Sequence, residues 1–195
     1  MTLSKITTTI KSGNEHFHFD GDAIDLTLLS FWQWSSSELL GNALRGVLAE
    51  FIVSIDIGCE NSVREEWDAY DLISPTGIKI EVKSGSYLQS WAQKELSKIS
   101  FSIGKTKGWE AATNEYSDEF KRQADVYVFC VLSHQDKETI DPLNLAQWDY
   151  YVLSTEMLNE KIGNQKTISL SSLLKLQPKK CKFGEIGKAI NDVIQ

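Results

Sequence analysis

The chain has 195 residues, 42% of them hydrophobic, with 12 Gly and 3 Pro; this excludes a disordered chain and collagen-like or low-complexity classes. Its 20 Lys+Arg stand against 27 Asp+Glu for a net charge of -7, which tells against a histone-like, purely electrostatic nucleic-acid binder but not against an enzyme whose carboxylates are offset by a metal ion. No apolar run approaches the roughly 20 residues of a membrane span, the first ten residues lack the pattern of a signal peptide, and three unpaired cysteines outside any CxxC pair point to reduced thiols without a zinc site, so a soluble cytoplasmic protein is expected.

Read in chain order, residues 17–19 suggest a short strand or edge, and residues 23–34 an apolar, aromatic approach to the first helix. Ser35-Ser36-Ser37-Glu38 is a capping-box pattern, and the helix it predicts runs to about Val53, gathering Leu40, Leu44, Val47 and Phe51 on one side. Residues 67–74 and 78–84 are two strands joined by Pro75-Thr76-Gly77, a turn signal because Pro presets φ and Gly accepts positive φ. Ser86-Tyr87-Leu88-Gln89 resembles a second capping box and predicts a helix with Leu88, Ala92, Leu96 and Ile99 on one side; residues 98–103 end that helix or form a strand. Residues 106–122 read as loop plus helix, 125–132 as a buried strand, 148–153 as another, and 185–194 as a final helix. The α, β, β, α, β, β, α order implies a mixed α/β sheet flanked by helices in a single domain, 1–195, with a variable N-terminal segment (1–34), a core (38–132) and a C-terminal part (133–195).

Charge is unevenly placed. Twelve acids between residues 13 and 72 face only Arg45 and Arg64, whereas seven lysines after residue 160 face only Glu185 and Asp192. Each block reads as a solvated face; the lysine-rich end reads alternatively as a flank that contacts phosphate.

The informative segment is residues 67–85. A hairpin closed at Pro75-Thr76-Gly77 pairs Leu72 with Ile80 and Asp71 with Glu81, placing two carboxylates about 4.5–5.5 Å apart at Cβ. Period-2 alternation adds Lys83 to that face and turns Leu72, Ile78, Ile80 and Val82 to the other. Like charges so close raise one pKa or demand a counter-charge. A hard divalent cation with oxygen ligands, Mg²⁺ above all, supplies it and polarises a phosphodiester, while Lys83 orients the attacking water. The competing reading is a surface cross-strand salt bridge. Glu119-Phe120-Lys121 repeats the Glu-x-Lys spacing in a polar, helix-like stretch, so context separates the two: apolar alternation, a turn before and Ser-Gly after.

On Asp71 and Glu81-Val82-Lys83 the chain resembles the PD-(D/E)xK nuclease superfamily, over roughly residues 38–132. The resemblance implies a restriction-endonuclease-like fold with a four-stranded mixed sheet between helices. It further implies Mg²⁺-dependent (or Mn²⁺-dependent) hydrolysis of DNA that leaves 5′-phosphate and 3′-hydroxyl ends. Asp71 and Glu81 would bind metal, Lys83 would position water, and Glu50 would match the Glu that many members carry on the helix before the hairpin. Glu50 falls about 20° from Leu39 on a helical wheel, at the margin of the apolar face, and so is either a snorkelling flank residue or an inward-facing ligand. The family's Pro before the Asp is Tyr70 here, and Asp68 competes for the metal role; the hairpin register favours Asp71.

Gln89, Gln93, Lys94, Lys105, Lys107, Lys121 and Arg122 are candidate DNA contacts, against capping for Gln89 and core packing for Trp91. His16 and His18 share a strand face, but no third metal ligand is evident, and Gly104-Lys105-Thr106 lacks the upstream Gly of a P-loop, so no nucleotide cofactor is expected. A small chain of this kind is closest in organisation to a type II restriction endonuclease acting as a homodimer. The alternatives are a structure-selective repair, recombination or phage-associated nuclease, and a non-catalytic DNA-binding or assembly protein that kept the fold.

Overall fold

The computed structural model describes residues 6–60, 63–64, 69–110 and 114–194. In chain order the elements are β1 (His16–Phe19), β2 (Asp22–Thr27), α1 (Leu28–Ser36), α2 (Asn42–Ile57), β3 (Leu72–Ile73) and β4 (Lys79–Ser86). They continue with β5 (Ser100–Ser102), β6 (Thr106–Glu110), β7 (Glu115–Lys121), β8 (Val126–Leu132), β9 (Trp148–Ser154) and α3 (Thr155–Ile162). The chain closes with β10 (Thr167–Ser169), α4 (Leu170–Lys175), β11 (Lys179–Cys181) and α5 (Ile186–Ile194).

The apolar run Val126–Leu132 is buried along its whole length, as a strand covered on both faces must be. It forms the middle of a five-stranded mixed sheet of order β11-β9-β8-β4-β3, parallel to β4 and antiparallel to β9. Alternation sorts the side chains into two cores. Ile80, Val82, Val128, Tyr150 and Val152 pack under Ile52 and Val53 of α2 and Ile190 of α5. Tyr127, Phe129, Val131 and Leu153 pack under Phe101, Leu158, Ile168 and Leu173 on the opposite side. At about 1.5–3 kcal/mol for each large side chain fully buried, the two cores hold the sheet between layers and leave its ends to carry polar groups. The α/β class with a central mixed sheet is as the sequence indicates, with five strands where four were expected.

Several local expectations change. The helix carrying Glu50 starts at Asn42 with Gly41 at its N-cap, and Ser35 and Ser36 instead close a separate helix, α1, whose first turn is capped by Thr27. Buried Arg45 fixes the turn between the two by donating to Leu40 O at 2.7 Å and Asn42 Oδ1 at 2.6 Å. Ser86 accepts from Leu88 N at 3.2 Å, but no helix follows. Gln93 Oε1 takes the Gln89 N–H at 2.7 Å and Gln93 Nε2 donates to Tyr87 O at 3.2 Å, so side-chain amides occupy the groups that a helix would have paired. Trp91, expected in the core, is exposed.

The predicted loop and helix over 106–122 is an antiparallel hairpin, β6–β7, whose Tyr116, Asp118 and Phe120 alternate at period 2. Asp20 and Gly21, with φ of 52° and 93°, make the tight turn of the β1–β2 hairpin. That hairpin and α1 pack little against the rest, leaving Phe19 72% and Trp34 85% exposed. Among the described residues no helix is long and apolar enough to cross a membrane.

Candidate functional site

The Pro75-Thr76-Gly77 turn closes with Ser74 N donating to Ile78 O at 2.9 Å, and Gly77 takes the positive φ (87°) that the turn requires. The register is the expected one, Leu72 opposite Ile80 and Ile73 opposite Lys79, but the ladder lasts only those two pairs. Asp71 N still donates to Ile80 O at 3.0 Å; beyond it the Asp71 carboxylate itself accepts the Val82 N–H at 2.7 Å. A side chain thus takes the next rung, β3 peels away, and Asp71 is fixed where the hairpin splays. On β4, Glu81 and Lys83 share the face opposite Ile80 and Val82, with Lys83 Nζ 2.5 Å from Glu81 Oε1 and both side chains about a quarter exposed.

Burial, reinforced by Glu81 and more weakly by Glu50, pushes the Asp71 carboxyl up to about 7, against the pull of Lys83 and the Val82 N–H. The acids therefore sense one another across the sheet edge. Glu50, largely buried on α2, is gripped through both oxygens by Arg64, with Nη2 3.1 Å from Oε1. Tyr127 is a neighbour that sequence reading missed. The parallel register sets it beside Glu81, and burial first, then Glu81 and Asp71, holds its phenol above the ordinary range. Its signal was a lone hydroxyl-bearing aromatic in an apolar strand, which gains meaning only once β8 is known to pair with β4.

Asp71 faces two cavities. One, about 500 Å³, also holds Glu50, Arg64, Tyr70 and Cys59. The other, about 680 Å³, is lined by Asp71, Glu81 and Tyr127 together with Lys107, Trp109 and Tyr116, which form a wall from the β6–β7 hairpin. Among the described residues no three His, Cys, Asp or Glu side chains stand close enough to enclose a metal ion unaided. The all-oxygen pair Asp71 and Glu81, with its mutual repulsion, suits a cation that takes its other ligands from water and phosphate.

The remaining candidates are dispersed. Gln89 is buried, with its Nε2 3.3 Å from Ser97 Oγ, and Gln93 is committed to the same loop; Lys94 is exposed on it. Lys107 is exposed and Lys105 half-buried. Lys121 pairs with Glu119 at 2.5 Å, repeating the Glu81–Lys83 geometry on an open surface. Arg122, expected at the surface as a phosphate contact, is buried instead, and its guanidinium donates to Ile103 O, Asn159 Oδ1, Gly163 O and Gln165 O. His16 and His18 are exposed on β1, and His16 is bonded through Nδ1 to Ile24 O at 2.9 Å. Asp68, the alternative to Asp71, and Trp67, the expected start of the hairpin, lie outside the described residues.

A mixed α/β sheet with an acidic, lysine-bearing cleft at a splayed hairpin is the frame on which comparison with known proteins falls, and that comparison points to a nuclease. A sequence model of the bacteriophage T4 endonuclease IV family matches residues 3–172, and the chain belongs to that family. No curated protein matches it.

Proposed function

We propose that the chain is a deoxyribonuclease that hydrolyses DNA phosphodiesters with Mg²⁺, for which Mn²⁺ substitutes, on a restriction-endonuclease-like core of the PD-(D/E)xK kind. The observation that carries this reading is Asp71: a carboxyl raised to about 7 by burial beside Glu81 and Glu50, at the point where the hairpin splays, is a place short of positive charge. Family membership supports DNA as the substrate. Asp71 and Glu81 would hold the cation and Glu50 would assist through water once released from Arg64. Bound there, Mg²⁺ supplies charge against the phosphodiester oxygens and Lewis acidity toward water. Lys83, already bonded to Glu81, orients the attacking water and offsets the negative charge that grows on the phosphoryl oxygens.

The family name and the cleft wall favour a structure-selective, phage-associated nuclease over a type II restriction enzyme. Trp109 and Tyr116 beside the carboxylates offer stacking surfaces, and a base reaches such a surface only when it is unpaired. A homodimer fits the exposed N-terminal unit. At about 200 Å² per large side chain, roughly half exposed, the eight large apolar side chains from Phe17 to Trp34 present on the order of 800 Å², what one partner contributes to a standard interface.

Supercoiled, single-stranded and branched DNA incubated with Mg²⁺, Mn²⁺ or EDTA test the reading. Cleavage should need the cation, prefer unpaired strands, and vanish in Lys83→Ala and Asp71→Ala proteins that retain the wild-type circular dichroism spectrum. Wild-type cleavage by both variants would remove the site assignment, and discrete double-strand fragments would restore the restriction reading.

A further inference from the structure

Beyond the carboxylate cleft the surface continues into a second hollow of about 670 Å³. The two share Gly104 and Thr106. Gly104 lies against Lys166, whose Cα, Cβ and Cγ would stand 3.8 Å from a Cβ built on the glycine, so the lysine stem borders the passage between the hollows. In a chain of net charge -7, this hollow is lined by Lys105 and Lys166 and by no carboxylate among the described residues. Ser102, Asn164 and Phe120 complete the lining, Phe120 with 63% of its surface exposed.

The two segments that carry the hollow's lysines are cross-linked by Arg122, a candidate phosphate contact in the sequence. Arg122 ties Ile103 O at 2.8 Å, on the segment leading to Lys105, to Gly163 O at 3.0 Å and Gln165 O at 3.3 Å, on the segment leading to Lys166. Ile103 N donates to Lys166 O at 2.9 Å, and β5 pairs with β10 alongside. Both walls are thus cross-linked before any ligand arrives, which lowers the ordering cost of binding.

We propose that this hollow is a nucleotide subsite for the DNA strand that runs through the cleft. Lys105 and Lys166 hold one backbone phosphate, Phe120 stacks the attached base, and the Asn164 amide meets the base edge. The inference rests on the nuclease reading above, which places the strand at Asp71 and Glu81; Lys166, Asn164 and Phe120 are assigned here for the first time.

Fluorescence anisotropy with a labelled eight-nucleotide single strand in EDTA tests it without cleavage. The Lys105→Ala/Lys166→Ala double variant should bind about tenfold more weakly at low salt, and its log K against log[salt] should be shallower by about one unit. Phe120→Ala should weaken binding about 5- to 100-fold through lost stacking and leave the salt slope unchanged, and Phe120→Trp should restore affinity, which a merely structural role would not predict. Lys188→Ala, on α5 across the sheet, is the remote-lysine control and should bind as wild type. Wild-type affinity and slope in the double lysine variant would overturn the subsite. If Asp71→Ala still cleaves, the carboxylate site falls whatever the anisotropy shows. If cleavage depends on Asp71 while the hollow's variants bind normally, the subsite alone falls.

Discussion

Asp71→Asn gives a test in which stability and activity move in opposite directions. A carboxyl at about 7 in the fold, against an ordinary value near 3.8, is displaced by about three units, and at 1.36 kcal/mol per unit this amounts to about 4 kcal/mol. The native state holds the proton more tightly than the unfolded chain. Below about pH 4 both states are protonated and Asp71 costs nothing. Between pH 4 and 7 the unfolded chain ionises first and stability falls; above 7 the full cost is present. Asparagine is neutral throughout and its Oδ1 still accepts the Val82 N–H. Thermal melts in EDTA should therefore show Asp71→Asn more stable than wild type at pH 8 by up to about 4 kcal/mol, or about 8–16 °C for a chain of this size. The gap should close near pH 4, and the variant should cleave nothing. Mg²⁺ should raise the wild-type melting temperature at pH 8 and leave that of the variant unchanged. A stability difference that does not depend on pH, or a wild type more stable at pH 8, would refute the electrostatic account of the cleft.

Arg122→Ala should lower stability by about 3 kcal/mol, because four acceptors lose a charged donor in a buried setting; chemical denaturation measures it. Gly85→Ala would bring a Cβ within 2.6 Å of Ile99 Cγ2 and 3.2 Å of the Phe101 ring, so a loss of about 1–3 kcal/mol is expected in the same assay. Trp109→Ala with Tyr116→Ala should raise KM for single-stranded DNA about tenfold while the melting temperature moves by less than about 2 °C; an unchanged KM would remove the stacking wall. Phe19→Glu with Trp34→Glu should convert a dimer to a monomer in sedimentation velocity, and a monomeric wild type would end the homodimer reading.

The parts of the fold that were legible are those whose signal is local and whose environment is uniform. Pro75-Thr76-Gly77 set the hairpin register, the run from Val126 to Leu132 was a strand in any context, and α5 begins one residue from its expected start. Residues 86–99 misled because Leu88, Ala92, Leu96 and Ile99 lie at helical spacing behind a capping-box pattern, yet the Gln93 side chain takes the Gln89 N–H and donates to Tyr87 O, and Ser97 Oγ accepts from both glutamine side chains. The 106–122 hairpin was hidden because its alternating residues are exposed on both faces, so no polar and apolar sides separate. Glu81–Lys83 and Glu119–Lys121 are the sharpest lesson: both pairs stand at 2.5 Å on a strand, but the first is mostly buried beside Asp71 and the second lies at the open surface. Spacing specifies the pair, while the surroundings that alter its chemistry come from β8 and the splayed β3, both distant in sequence. Tyr127 and the bracing role of Arg122 were illegible for the same reason.

The β6–β7 hairpin pairs with itself and packs little against any other element. The wall facing the carboxylates is therefore almost a detachable part. Neither Trp109 nor Tyr116 belongs to either core of the sheet, so substitutions there would leave the packing beneath it intact. Glu81 and Lys83 are anchored in β4, against the buried β8, so under the proposed nuclease reading the surface that meets the DNA strand would be separable from the residues assigned to hydrolysis.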